Sequence, residues 1–314
     1  MSSNLSYVSI SMENVSPDST TVTVAFIQLA YGIPSFFIMI AFLFFLGCKK
    51  AYNPSFYRLV QLDLFTNIIL YANTWIAIRI AKQSSGVVFL KGLETALPGL
   101  QTWTVYFTGW FMHMQFLSAV ALSLHRITSV LWSRYYPLFG LLCCLYSTLA
   151  ESILPGKTIT ISILNNTLTQ GVDRIRGSKN STLIAVYSVV YFVLLAGINT
   201  CTAYLVTAKF KAANISDRGV GKKLTKIALT YSIIYLGILF WSVTSALNQK
   251  FQIFTFLFGI NSMLLTFASD MMTLALPYIL LVYDTNVRND VCWKKKSKTT
   301  PVLVSIGPQT RSMT

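Results

Sequence analysis

Seven apolar stretches run along the chain: Val22–Gly47, Phe56–Ile80, Leu100–Val130, Leu138–Leu154, Thr182–Thr207, Leu224–Leu247 and Phe254–Val282. Each run is continuous rather than alternating residue by residue, which predicts helices and not the strands of a membrane barrel. Crossing the hydrocarbon core takes about 20 apolar residues. Six runs clear that length; the fourth has 17 residues and carries Glu151. Glu151 lies near the end of its run, within reach of the headgroups. The pattern predicts an all-α membrane protein, a seven-transmembrane helix bundle.

Charge sets the orientation. Cytoplasmic loops collect Lys and Arg. With the N-terminus outside and the C-terminus cytoplasmic, 17 of the 25 basic residues fall on the inner side, including Lys209–Lys226 and Lys294–Lys298. Removing the fourth crossing would move both of those clusters outside, so seven crossings is the consistent count. The sequons at Asn4, Asn14, Asn165 and Asn180 then lie outside, and that at Asn214 inside. The first 21 residues are polar and lack a basic n-region, so an uncleaved first span is expected to send the N-terminus outward. The predicted organisation is an extracellular N-terminus (1–21), a seven-span membrane domain (22–284) and a disordered basic cytoplasmic tail (285–314). Leu154–Ser181 is the largest outer loop.

Composition agrees. The chain is 54% hydrophobic and 11% charged, against about 25% charged in soluble domains. The net charge of +15 belongs to span ends, so the lipid bilayer and not nucleic acid is the expected partner. None of Cys48, Cys143, Cys144, Cys201 and Cys292 falls in an outer loop, so no outer-face disulfide is expected. Cys292, beside Trp293 and a lysine run, fits either a palmitoylated or an idle juxtamembrane thiol.

Ionisable groups inside lipid are costly and mark candidate sites. Span 2 holds Asp63; span 3 holds His113 and, at its inner end, His125 and Arg126; span 7 holds Asp270. If spans 2 and 7 are neighbours, Asp63 and Asp270 can share a proton, hold a cation, or accept hydrogen bonds from groups such as Asn67 and Thr66. A structural polar network is the plain alternative. Pro277, two turns beyond Asp270 and followed by Tyr278, removes a helix hydrogen bond and offers an inner hinge. Arg126 either snorkels to the interface or locks the inner bundle. His113 and Gln115, with Trp103, Tyr106 and Trp110 above them, are candidates for a small-molecule pocket; packed core aromatics are the alternative.

Enzymatic readings find little support. Two histidines without a metal-ligand spacing give no catalytic metal site, and no nucleophile elbow or phosphate loop occurs. No cofactor is expected, and span 7 has no lysine for a retinal Schiff base. A polytopic transporter or channel for a small solute is kept open by Gly32-Ile-Pro34 in span 1.

Three blocks carry a resemblance. Phe56–Trp75, Leu122–Val130 with its His125-Arg126, and Ser269–Arg288 with Asp270, Pro277 and Tyr278 resemble the corresponding segments of the nematode serpentine receptors of class gamma. The class V branch of that superfamily is the nearest competitor. The resemblance implies a chemosensory G-protein-coupled-type receptor that detects a small-molecule ligand. It implies a multi-pass plasma-membrane location, in sensory neurons or their cilia, and coupling to a heterotrimeric G protein. By matched position Arg126 faces the G-protein cavity, and Asp63 and Asp270 are inner polar-network residues. His125 stands where the family more often has Asn, and only nine residues separate Arg126 from Tyr136, which shortens the second inner loop.

The topology makes a direct prediction. Peptide-N-glycosidase treatment of the chain expressed in animal cells lowers its apparent mass, and Asn165→Gln with Asn180→Gln removes part of that shift. An unglycosylated Asn165–Asn180 segment would reverse the assignment of that loop.

Overall fold

The computed structural model describes residues 7–13, 19–52, 55–128, 136–153, 159–212, 218–251 and 258–291. Among the described residues, seven long helices form the bundle: α1 (Ser19–Cys48), α2 (Ser55–Thr74), α4 (Leu100–Thr128), α5 (Tyr136–Ile153), α6 (Arg174–Ala212), α7 (Arg218–Phe251) and α8 (Phe258–Tyr283). Among the described residues, five spans are individually long and apolar enough to cross a membrane. α4 and α5 are the exceptions. α5 is short, and α4 gives positions such as Gln101, Thr104, His113, Gln115 and Ser123 to the bundle interior, where they are buried.

The molecule is apolar outside and mixed inside. Phe26, Phe37, Phe44, Leu149, Val193, Ile233 and Phe240 all point away from the bundle and are exposed. A belt of this kind is stable against lipid and not against water. Two apolar clusters hold the helices. Met39, Phe42 and Leu46 of α1 pack with Leu59, Val60 and Leu64 of α2 and Leu274, Leu276 and Leu280 of α8. Phe116 and Ala119 of α4 pack with Tyr191 and Leu195 of α6, Tyr235 and Ile238 of α7, and Met272 of α8.

Both ends carry elements that the apolar pattern does not announce. At one end, strands β1 (Tyr7–Ser11), β2 (Ile159–Leu164) and β3 (Thr167–Asp173) form an antiparallel sheet in the order β1-β3-β2. Asn165 and Asn166 form the β2–β3 turn with φ of 49° and 60°. Asparagine tolerates this left-handed backbone, which two-residue hairpins require. Gly171 admits the Tyr7 ring, whose hydroxyl bonds Thr160 across the sheet. Thr102, in the first turn of α4, exchanges hydrogen bonds with the backbone of Ile161 (3.0 and 3.2 Å), so the helix end continues the sheet edge.

A further helix, α3 (Ser84–Ala96), lies beneath the sheet. Its Val87 and Leu90 join Met12, Ile161 and Leu168 in a third apolar cluster. Glu94 accepts the N–H groups of Gly99 (2.5 Å) and Gln101 (3.0 Å), capping α4. Glu13 accepts from Lys91 (2.9 Å) and the Leu168 N–H (3.1 Å), and these bonds hold its carboxyl below the usual range. The N-terminal segment, α3 and the β2–β3 hairpin together roof that end.

At the opposite end α9 (Thr285–Val291) follows α8 directly, where the sequence predicts the disordered tail to begin. Asp284 Oδ1 accepts from Asn286 N (2.9 Å) and Val287 N (3.3 Å), starting the helix, and Val287 is fully buried. Asp290 accepts from Lys49 (3.3 Å) and Tyr52 (3.1 Å), and Tyr57 donates to Asp284 (2.7 Å). Residues 292–314 of the expected tail lie outside the described residues, as do Asn4 and Asn14.

Helix α1 approaches α2 closely at one point. A Cβ on Gly32 would sit 1.7 Å from Tyr71 Oη and 2.9 Å from its Cζ. Tyr71 is buried and flanked by Phe36 and Trp75, so it has little room to retreat. Gly32→Ala is expected to cost about 1–3 kcal/mol by overpacking. Thermal unfolding of the solubilised protein measures this, and Gly32→Ala/Tyr71→Phe should recover part of the loss.

Candidate functional site

Among the described residues, three groups of interior polar side chains contain the candidate residues. The first lies near the sheet end. Helix α2 ends in a π-helical turn, Trp75–Arg79, and then a short 3-10 turn, Ile80–Lys82. The widened turn accompanies an inward Arg79, a feature often found at functional positions in helices. Arg79 Nη2 forms a short ion pair with Asp270 Oδ1 of α8, with the two side chains only 4% and 3% exposed. Tyr31 of α1 donates to the other Asp270 oxygen at 2.5 Å. The guanidinium lies 5.0 Å from the Tyr71 ring centre and 4.9 Å from that of Trp75. Three helices thus meet at one carboxylate.

The second group lies deeper and joins α2, α4 and α8. Asp63 accepts from Ser118 Oγ and from Asn67 Nδ2 (3.2 Å). Gln115 donates from one nitrogen to Asn67 Oδ1 (2.9 Å) and Thr273 Oγ1 (3.0 Å). Of the arrangements open to Asp63 and Asp270, the structure has separate partners for each: Asp63 has hydroxyl and amide donors, and Asp270 has a guanidinium and a phenol. The two groups nevertheless touch the same face of α8, because Thr273 follows Asp270 by three residues.

Pro277 stands four residues beyond Thr273. It has no N–H to return to the Thr273 carbonyl, so the helix hydrogen-bond break lies on a residue of the network. Tyr278, next to it, bonds Ser35 of α1 at 2.8 Å, and Ser35 also donates to Tyr31 O (2.7 Å). Tyr31, Ser35 and Tyr278 connect the ion-pair region to the far side of the proline.

The third group is aromatic. His113 is fully buried, with Nδ1 3.0 Å from Tyr191 Oη, and Tyr191 donates to Tyr146 (3.2 Å). Tyr187 presents its ring to the imidazole at 5.0 Å. His113 faces α5 and α6, whereas Gln115 faces α2 and α8. Trp103, Tyr106 and Trp110 do not converge with them. They form an edge-to-face ladder through Phe107 along α4, Trp103 is 48% exposed, and Trp110 donates to Thr148 of α5 (3.2 Å). The five expected pocket residues therefore divide into three environments.

His125 and Arg126 lie in the last turn of α4, with side chains outside the described residues. Asn165 stands at the exposed hairpin tip, and the Asn180 side chain is outside the described residues. Sequence reasoning missed Arg79, Tyr31, Ser118 and Thr273. For Arg79 a signal existed: it falls inside the predicted second span. A buried Asp270 demands a partner cation, and Arg79 is one of two arginines, with Arg126, that stand inside an apolar run without an acidic neighbour in sequence.

The fold is that of the rhodopsin-like seven-helix receptors. Squid rhodopsin superposes with a TM-score of 0.63 at 12% identity, covering 90% of this chain and 87% of that one. Sequence narrows the class. The chain belongs to the Srg family of chemoreceptors, whose sequence profile matches residues 25–291. Its relatives in Caenorhabditis elegans include serpentine receptor class gamma-47, 33% identical over 285 residues (88% of this chain, 92% of the relative). Serpentine receptor class gamma-53 is 26% identical over 271 residues (84% and 89%). It is a GPCR-like membrane chemoreceptor by family and fold.

Breaking a buried pair by removing one partner costs about 3–5 kcal/mol, because the other charge is stranded. Arg79→Ala is expected to show a loss of this size in thermal unfolding. Arg79→Gln/Asp270→Asn, which keeps a hydrogen bond and removes both charges, should retain most of the stability. Equal losses in the two variants would show that the pair is not the source.

Proposed function

We propose that this chain is a plasma-membrane chemosensory receptor that takes a small-molecule ligand at its sheet-capped end and signals to a heterotrimeric G protein at its α9 end. The sheet end faces outward in this reading, which puts the Asn165 hairpin outside and the Lys209–Lys226 and Lys294–Lys298 clusters inside. Sensory-neuron cilia are the proposed site of action.

One observation carries the reading. Polar contacts run from the Arg79–Asp270–Tyr31 centre along α8 to Thr273, and through Gln115 and Asn67 to Asp63 and Ser118. They cross an interior otherwise packed with Leu, Phe and Met, and pass one turn from the break at Pro277. Partner exchange among hydroxyl and amide groups costs little compared with repacking apolar side chains. A ligand that disturbs the outer pair can thus bias α8 about Pro277. The ligand acts by binding one of two arrangements more tightly than the other.

Arg126 is the proposed inner contact, in the final turn of α4. A panel of small organic compounds is applied to cells expressing the chain, with calcium or cAMP as the readout. A responding compound should lose about tenfold or more in potency or amplitude with Arg126→Ala at equal surface expression, within the usual range of coupling energies. An unchanged response removes Arg126 from that role. Ligand-dependent current or uptake without any G protein would instead favour a transporter or channel.

A further inference from the structure

A guanidinium has five N–H bonds. Arg79 commits Nη2 to Asp270, while Nε and Nη1 are buried and donate to no described residue. The Tyr71 hydroxyl, on the ring beside that guanidinium, is also buried; its oxygen lies close to Arg79 and Trp75, and its own proton meets no described acceptor. A buried polar group left unmet is expensive, and more so when it is charged. Each of these atoms can donate, and the arginine nitrogens can only donate. What is missing is an acceptor.

Charge makes the acceptor an anion. Lys82, half-buried and three residues beyond Arg79, belongs to none of the ion pairs among the described residues. Arg79 and Lys82 together outweigh Asp270 at this end of α2. In a low-dielectric interior an excess cation attracts negative charge strongly. The guanidinium is also held in place before any ligand arrives, by Asp270 at one nitrogen and by the Tyr71 and Trp75 rings. Preorganisation of this kind reduces the ordering cost of binding. Ile76 and Ile80, flanking Arg79, pack against the apolar core under the sheet, so the position lies directly below the roof.

We infer that the uncommitted donors of Arg79, with Tyr71 and Lys82, anchor the carboxylate of a small organic acid beneath the sheet cap. The inference rests on the receptor reading for its biological sense but not for its chemistry. A carboxylate oxygen accepts from one of the two free guanidinium nitrogens, Nε or Nη1, while Asp270 keeps Nη2. The Arg79–Asp270 pair then serves as the ligand's counter-charge as well as the tie between α2 and α8.

The test uses the full chain in phosphatidylcholine nanodiscs, with thermal unfolding followed by tryptophan fluorescence. The probes are acetate, hexanoate, octanoate and benzoate, each against the alcohol of the same carbon skeleton. At least one carboxylate should raise the midpoint by about 5 °C at a hundredfold excess over its dissociation constant, and its alcohol should not. Lys82→Gln, which leaves the Asp270 pair intact, should weaken that carboxylate about fivefold, and Arg79→Gln/Asp270→Asn should abolish its effect. No response to any carboxylate, as expected if water alone fills the donors, overturns the inference. Equal responses to acid and alcohol, or an unchanged response in Lys82→Gln, do the same. A full shift from anionic phosphatidylglycerol in the nanodisc, with none added by the soluble acids, would overturn the assignment to a small acid. Failure here and failure of the receptor reading are separable. Signalling confined to neutral compounds removes the acid anchor alone, whereas acid binding without any G-protein response removes the receptor reading alone.

Discussion

The ion pair between Arg79 and Asp270 is the constraint on which the rest of the interior turns. The helices present Phe, Leu, Ile and Val outward, so lipid supplies no polar compensation for anything carried inside. A lone carboxylate on α8 would be costly there, and a lone guanidinium on α2 no less so. Each makes the other tolerable, and together they fix α2 against α8 near the sheet end, with Tyr31 drawing in α1. The geometry that permits this is local. Gly32 lets α1 lie against Tyr71, Tyr71 and Trp75 support the guanidinium, and the π-turn accompanies the inward arginine.

The deeper network obeys the same rule by different means. Asp63 has no countercharge among its hydrogen-bond partners and relies on the Ser118 hydroxyl and the Asn67 amide. Gln115 then closes the circuit to Thr273. A charge pair is directional and hard to rearrange in low dielectric. A chain of hydroxyls and amides can re-form with new partners at small cost. The ion-pair centre is therefore built for rigidity, and the deeper network admits alternative arrangements. Pro277 lies where the second property is useful, on the helix that carries members of both groups.

Much of this architecture was legible in the sequence. The seven apolar runs lie almost wholly within α1, α2, α4, α5, α6, α7 and α8, because length and hydropathy are properties of a single helix. Asp63, Asn67, Gln115 and Asp270 stood out because a polar group in an apolar run is conspicuous whatever its partners are. What stayed hidden depends on pairing. Arg79 does not stand out in the sequence, since nothing there says that a span-end arginine turns inward on a π-turn. Val87 and Leu90 of α3 are too few to announce a helix. The hairpin was signalled by Ile159, Ile161 and Ile163 alternating toward Asn165-Asn166, but the surrounding apolar runs set a different scale of pattern. The expected pocket failed to gather for a geometric reason: His113 and Gln115 are two residues apart on a helix, which turns them about 200° from each other.

The two ends of the bundle are finished in opposite ways, and this bears on how a signal would travel. At the sheet end the roof is held by backbone pairing, by Thr102 extending the sheet, by Glu94 capping α4 and by Glu13 joining β3 to α3. That end is cross-linked through many short bonds and should move as a unit. At the other end, single side chains make the connections: Tyr57 to Asp284, Tyr52 and Lys49 to Asp290, and Thr230 of α7 to Tyr283 of α8 (3.1 Å). Side-chain contacts of this type can be released one at a time. A rigid cap over a charged centre and a loosely tied opposite face form an asymmetric device. In the proposed receptor, a change at Asp270 passes through Thr273 and past Pro277 toward the face where α8 gives way to α9.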